Sequence, residues 1–331
     1  MTIKSKLLGT LAALSVISGV QVSHAAEELT VAYFLEWPMP FQYAKVKGTY
    51  EKELGVPIKW VSFDTGTAMS AAMASGDVQI AVSQGVPPFV VAASAGQDLL
   101  VVDVAVSYSE NDNCVVAEAL EIDKTNANEL EGKKVGVPIG TAAHFGFLEQ
   151  MKHFNVDITS MELVDMAPAD GAAAFAQGNL DMVCGWGGAL RRMKEHGNVL
   201  LTGAEKEELG ILVFDGISVP SDFASKEGEL LTKFLKVTAD ANSMWRAGDN
   251  RADMLEVIAK DAGMELADTE STIDTFPTLE ETLSAKWMDG NVQNFMLGVA
   301  DVFQGAGSIP EALDTYTAAV DASYLAAAGS Q

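Results

Sequence analysis

The feature that most limits what this chain can become is a repeat. Residues 60–88 read WVSFDTGTAMSAAMASGDVQIAVSQGVPP, and residues 161–190 read MELVDMAPADGAAAFAQGNLDMVCGWGGAL. Both run as strand, polar loop, helix of small residues, tight turn, strand, and a loop rich in Gly or Pro. An apolar run joined to a second one through a helical segment is a βαβ unit, which places its two strands parallel in one sheet. Ligands of open α/β sheets bind outside the carboxyl ends of the strands. Two such units facing each other enclose a cleft.

The rest of the chain extends the pattern. Apolar runs at 28–34, 57–63, 78–83 and 98–106 alternate with helical stretches at 42–54, 68–75 and 89–95. A second set of strands at 114–117, 133–137, 162–165, 182–185 and 199–202 alternates with helices at 125–130, 142–154, 169–177 and 190–196. The polar stretch YSENDN, residues 108–113, reads as a crossing between the two sets, and ILVFDGISV, residues 211–219, as a strand returning to the first. Helices are expected at 225–247, 251–262, 266–275, 279–304 and 310–324, a tail wrapped on the first domain. The expected fold is therefore two doubly wound α/β domains joined by two crossing segments. Residues 27–108 with 212–331 form domain I, 113–207 form domain II, and 109–112 and 208–211 are the hinge crossings.

Charge excludes one class of partner. A formal net charge of −25 repels phosphate backbones and argues against nucleic acid. An anionic ligand would have to be held by local donors such as helix N-termini, against the overall field. Residues 1–26 read as a signal peptide: Lys4 and Lys6, then an apolar stretch from Leu7 to Val22, then Ser23-His24-Ala25 before the cut. The mature protein is expected to be exported, to a bacterial periplasm. The oxidising compartment permits a bridge between the two cysteines, Cys114 and Cys184, with two separately buried thiols as the alternative.

Candidate site residues cluster at strand ends. Asp64-Thr65-Gly66-Thr67 and Gly140-Thr141-Ala142-Ala143-His144 each open a helix. Their backbone N–H groups, with the Thr67 and Thr141 hydroxyls and the His144 ring, suit a sulfonate, carboxylate or phosphate. Trp37, in a proline-fixed loop, and Trp186, between glycines, are rings that sandwich an alkyl chain or hold an ammonium. Asp215 lies inside an apolar strand, where a carboxylate is costly without a partner, so it pairs either with an internal group or with a ligand amine. Glu36 is a weaker candidate for the same role from the opposite wall. Gln84 and Gly85 offer an amide donor and a backbone N–H. The histidines have no metal-ligand spacing, and the chain carries no HExxH, GxSxG, GxGxxG or Walker motif. No metal, cofactor or enzymatic activity is expected.

Several of these segments resemble a known family. Phe63-Asp64-Thr65-Gly66-Thr67, Ala74-Ser75-Gly76-Asp77-Val78-Gln79-Ile80, Gly132-Lys133-Lys134-Val135, Val137-Pro138, Thr141 to His144 and Gly178-Asn179-Leu180-Asp181 are similar to the periplasmic taurine-binding proteins of ABC importers. Phe34-Leu35-Glu36-Trp37-Pro38 resembles the opening of the wider group that binds sulfonates, nitrate and thiamine-pyrimidine precursors. The resemblance covers roughly residues 29–245. It implies a type II periplasmic binding protein, a monomer whose domains close on a small ligand and deliver it to a membrane permease. In taurine binders a carboxylate on the returning strand meets the amine, and Asp215 matches that position. Alkanesulfonates, nitrate, betaine or sulfonium zwitterions and pyrimidine precursors remain alternatives, as does an exported enzyme on the same fold.

Overall fold

The computed structural model describes residues 28–108, 110–211, 213–273 and 276–330. The expected signal peptide lies outside them, as do Ser109 of the first expected crossing and Leu212, the first residue after the second. Among the described residues, ten strands form two five-stranded sheets. The strands are β1 Leu29–Phe34, β2 Ile58–Phe63, β3 Ile80–Gly85, β4 Leu99–Tyr108, β5 Asp112–Ala117, β6 Lys134–Val137, β7 Glu162–Asp165, β8 Met182–Trp186, β9 Gly197–Val199 and β10 Val213–Pro220.

The sheets have one plan. Sheet one runs β2-β1-β3-β10-β4 and sheet two β7-β6-β8-β5-β9. In each, three parallel strands come first, then an antiparallel strand, then an edge strand. The repeat in the sequence is β2–helix–β3 and β7–helix–β8, with β1 or β6 slotted between its two strands. The antiparallel strand is in each case the one that has just crossed from the other half: β5 enters sheet two and β10 enters sheet one. Both crossing strands are almost wholly buried, which is why they read as apolar runs.

The helices follow local chemistry. Gly66–Ala74 starts on Thr65, whose hydroxyl accepts from the Ala68 N–H at 3.2 Å, and Ala142–His153 starts on Thr141 in the same way. The helix expected at 42–54 is two helices, Phe41–Val46 and Thr49–Leu54, because Gly48 takes the left-handed conformation with φ 67°. The 279–304 stretch likewise splits into Leu279–Leu283 and Asn291–Gly305, with Gly290 at φ 112° ahead of the second. Residues 310–322 form no α-helix, only a 3-10 turn at Thr317–Ala319. The chain docks on sheet one instead, with Val320 bridged to Val101 and the Asp321 N–H donating to the Val101 carbonyl at 3.0 Å, before a final helix Ser323–Ala328. Here tertiary pairing overrides a moderate helical propensity. The helix Gly203–Glu208 was not expected, nor was Ser221–Lys226 ahead of the expected start at 225, although the capping box of Thr202 and Glu205 is legible in the sequence.

The tail also reaches beyond sheet one. Phe295 meets Phe145 edge to face with ring centroids 5.6 Å apart, and Phe303 stacks on His144 at 5.3 Å. Asp268 pairs with Arg191 at 3.1 Å. Asn291–Gly305 therefore packs on the helix Ala142–His153 of the second half as well as on the first.

Candidate functional site

The carboxyl ends of both parallel sets converge on one small cavity. It is lined by Phe34, Trp37, Gly66, Gly85 and Pro88 from the first half, Tyr108 and Asp215 from the crossing region, and Thr141, Ala142 and Trp186 from the second half. It leaves about 20 Å³ for the centre of a water-sized sphere, roughly one water's worth. The two halves are thus drawn together, and a ligand of several heavy atoms requires them to part.

Among the described residues lining that cavity, Asp215 is the acidic one. It is buried, and its oxygens accept from the Ser83 hydroxyl at 2.6 Å and the Tyr108 hydroxyl at 2.7 Å. Ser83 in turn accepts from the Trp37 indole N–H at 2.9 Å. Ser83 holds φ 63°, a left-handed conformation uncommon for a non-glycine residue. Such outliers persist only where the surroundings over-determine them, and here the bonds of Ser83 to Trp37 and Asp215 do so. Gly85 pairs with Asp215 across β3 and β10, and a Cβ there would lie 3.3 Å from the carboxylate. A side chain at position 85 would crowd the acid.

Facing this acid are two helix N-termini. Thr141 is buried beside the cavity, donating its hydroxyl to the Pro138 carbonyl at 2.6 Å. The first-turn amides of Gly66–Ala74 and Ala142–His153 have no partner within their helices and carry the positive end of each dipole. The two starts abut: the Thr67 methyl lies 3.3 Å from where a Cβ of Gly140 would be. An anion is favoured there and a cation near Asp215.

Four expected site residues lie elsewhere. The Gln84 amide donates to the Gly66 carbonyl at 3.0 Å and to Ser70 at 2.6 Å, and accepts from Ser218, so it braces the helix start from behind. The Thr67 hydroxyl pairs with Thr65 at 3.0 Å, and its methyl packs across the cleft. His144 points into the tail: its Nδ1 accepts from the Gly140 N–H at 3.2 Å and its ring stacks on Phe303. Glu36, rather than meeting a ligand amine, makes a two-pronged pair with Arg192 of the other half at 2.7 and 3.0 Å. Its carbonyl also accepts from the Gly188 N–H at 3.0 Å. That approach needs glycines: a Cβ on Gly187, at φ 56°, would fall 2.4 Å from the Glu36 oxygen, and one on Gly188 3.0 Å from the Glu36 Cβ. The helix-opening loops contribute Gly66 and Ala142 as expected, and the residues not anticipated are Phe34, Pro88 and Tyr108 in the cavity lining and Ser83 behind Asp215. Tyr108 had a signal, as the one ring in the crossing stretch; Ser83 had none.

Cys114 and Cys184 form a disulfide between directly opposed residues of β5 and β8. It fastens the crossing strand to the strand that ends in Trp186.

Two expectations follow from this geometry. Glu36 and Arg192 are each about one-third exposed, with side-chain exposures of 33% and 38%, so their pair contributes no more than about 1 kcal/mol to closure. Glu36→Gln is expected to weaken ligand binding by about threefold to fivefold, with the largest effect at low salt. Titration calorimetry at two ionic strengths checks this, and an unchanged affinity at both would remove the latch role. Burial pushes the His144 imidazole down to about 4, opposed only weakly by Asp165. The unfolded chain takes up that proton near pH 6.5 and the folded chain does not. Stability is therefore full above pH 6.5 and is lost as pH falls toward 4, by on the order of 3 kcal/mol. In urea unfolding, His144→Gln should lack this share of the acid sensitivity.

Two α/β halves, crossing strands at the hinge, and a cleft with an acid on one side and helix N-termini on the other define the fold of a type II periplasmic binding protein. The chain belongs to the family described as NMT1/THI5 like, which matches residues 38–277. It is 27% identical over 318 residues to the taurine-binding periplasmic protein of Escherichia coli K12, covering 94% of this chain and 97% of that protein. Among solved structures it is similar to the alkanesulfonate-binding protein SsuA from Xanthomonas axonopodis pv. citri bound to MOPS. The TM-score is 0.75 at 22% identity, covering 89% of this chain and 98% of that one. The nitrate-binding protein NrtA from Synechocystis PCC 6803 follows with a TM-score of 0.60 at 13% identity, over 73% of this chain and 68% of that one. These last two likenesses are of fold.

Proposed function

We propose that this chain is the exported receptor of an ABC importer and that its ligand is a small zwitterionic sulfonate, with taurine the first candidate. The observation that carries the reading is the polarity of the cleft. Asp215 presents a carboxylate on one side, and two helix N-termini present N–H groups on the other. A single anion such as nitrate uses only the second feature. An ammonium linked by two carbons to a sulfonate uses both, with Trp37 and Trp186 packing the linker. The likeness to the taurine-binding periplasmic protein of Escherichia coli K12 supports the same ligand.

In this reading residues 27–108 with 212–331 move as one body and 113–207 as the other, about crossings at 109–112 and 208–211. Closure is what a permease would recognise. Residues 1–26 would direct export and be removed, and the receptor would act as a monomer. Titration calorimetry of the mature protein tests the ligand: a one-site isotherm with taurine is expected. Heat with nitrate and none with taurine or any other zwitterion would sink the assignment.

A further inference from the structure

The acid is surrounded by rings. Phe34, Trp37, Tyr108 and Trp186 line the same cavity as Asp215. Trp37 and Tyr108 meet edge to face with centroids 4.9 Å apart, and Phe34 and Trp186 do so at 5.9 Å. Three of these rings stand on or beside sheet one, while Trp186 ends β8 of sheet two, so the approach of the halves completes the box. Trp37 is fixed by its bond to Ser83, and Tyr108 by its bond to Asp215.

The hydrogen bonds of the acid bear on what the box can hold. A carboxylate has about four lone-pair sites. Hydroxyls of Ser83 and Tyr108 occupy two of them within the protein itself. A primary ammonium brings three N–H donors, which compete with those hydroxyls for the same carboxylate. A quaternary ammonium or a sulfonium brings no donors. It draws on the charge of Asp215 and on the ring faces, which attract cations within about 6 Å of a centroid. Methyl groups on the cation also bury apolar surface against those rings.

Room for methyl groups lies next to the box. Phe34 and Trp186 also line a second, outer pocket of about 290 Å³ between the halves, formed further by Phe63, Pro168 and Ala189 among others. That T-shaped pair is the partition between the two spaces. Phe34 and Trp186 line both spaces, so a shift of that pair would join them, while the bonds of Ser83 and Tyr108 to Asp215 involve neither ring.

Resting on the zwitterion reading above, we propose that the site is built for onium zwitterions. It would take a methylated ammonium or sulfonium, joined by a short chain to a sulfonate or carboxylate, at least as tightly as the primary amine. The test is titration calorimetry of the mature, disulfide-intact protein with taurine, N-methyltaurine and N,N,N-trimethyltaurine. Affinity is expected to hold or rise with each methyl. Trp186→Leu should weaken trimethyltaurine by about tenfold and taurine by less. Tyr108→Phe keeps the ring and frees a lone pair of Asp215, so it should move the preference toward taurine by about threefold. If taurine binds more than about tenfold tighter than trimethyltaurine, the onium proposal falls and the zwitterion reading stands. If neither compound binds, both fall.

Discussion

Replacing Asp215 with asparagine is expected to lower the affinity for taurine by about a hundredfold or more while leaving ethanesulfonate within about threefold. The first figure follows from removing one partner of a buried charge pair, which costs about 2–5 kcal/mol at roughly 1.4 kcal/mol per decade. The second follows from the layout of the cleft. Ethanesulfonate has no cation to lose, and its sulfonate would meet the amides at the starts of Gly66–Ala74 and Ala142–His153, which the substitution does not touch. Asparagine keeps the shape that Gly85 accommodates, and its carbonyl can still accept from Ser83 or Tyr108. Alanine would leave both hydroxyls without their acceptor, so it confounds a charge effect with a packing effect. Parallel calorimetry on the two ligands separates the cases. Equal losses for taurine and ethanesulfonate would place the substitution's effect on closure rather than on the amine. Loss for neither would remove Asp215 from the site.

How the cleft works follows from which residues cross it. Trp186, Gly187 and Gly188 sit at the end of β8, one of the two strands repeated in the sequence, and they press on Glu36 and Trp37 of the first half. The same loop thus supplies a wall of the box and the seat of the latch. In the proposed reading, parting the halves breaks the Glu36–Arg192 pair and withdraws Trp186 together. A cation bound between Trp186 and Asp215 would then favour the closed form by the difference in its contacts between the two states.

The parts of this arrangement that were legible in the sequence are those with a short-range signal. The repeat gave both βαβ units, because apolar runs separated by helices of small residues have few other solutions. Asp215 stood out as one acid in ILVFDGISV, and Trp37 and Trp186 as rings fixed by prolines or freed by glycines. Side-chain direction was not legible. Position near a strand end placed Gln84 in the cleft. Yet the left-handed conformation of Ser83 turns that serine toward Asp215 and sends Gln84 toward Ser70 and Ser218. His144 lies in the right turn of its helix but on the side facing Phe303, and each residue of a helix rotates about 100° from the last. Glu36 finds a partner 156 residues away, and no local pattern announces Arg192. The tail was read as a wrapping for one domain because nothing in its own periodicity tells which neighbour Phe295 and Phe303 will meet.

Loss of the Cys114–Cys184 bridge is expected to destabilise the second half by about 4 kcal/mol. The two residues are 70 apart in sequence, and a loop of that size sets the entropy removed from the unfolded chain. For a chain of this length such a loss lowers the melting temperature by about 6 °C. The bridge joins facing residues of neighbouring strands, so reduction leaves the β5–β8 ladder in place and the folded architecture unchanged. The effect should therefore be on stability and not on affinity, provided binding is measured well below the transition. Trp186 lies two residues beyond Cys184, on a strand that β5 and β6 still flank on both sides. The check is a thermal scan of the oxidised protein against the Cys114→Ser, Cys184→Ser double variant, with thiol titration of the unfolded wild type showing no free sulfhydryl. A melting temperature unchanged in the double variant would mean that the bridge constrains an unfolded chain already compact across residues 114–184. A normal melt with lost binding would mean instead that the disulfide, through β8, holds Trp186 in the box.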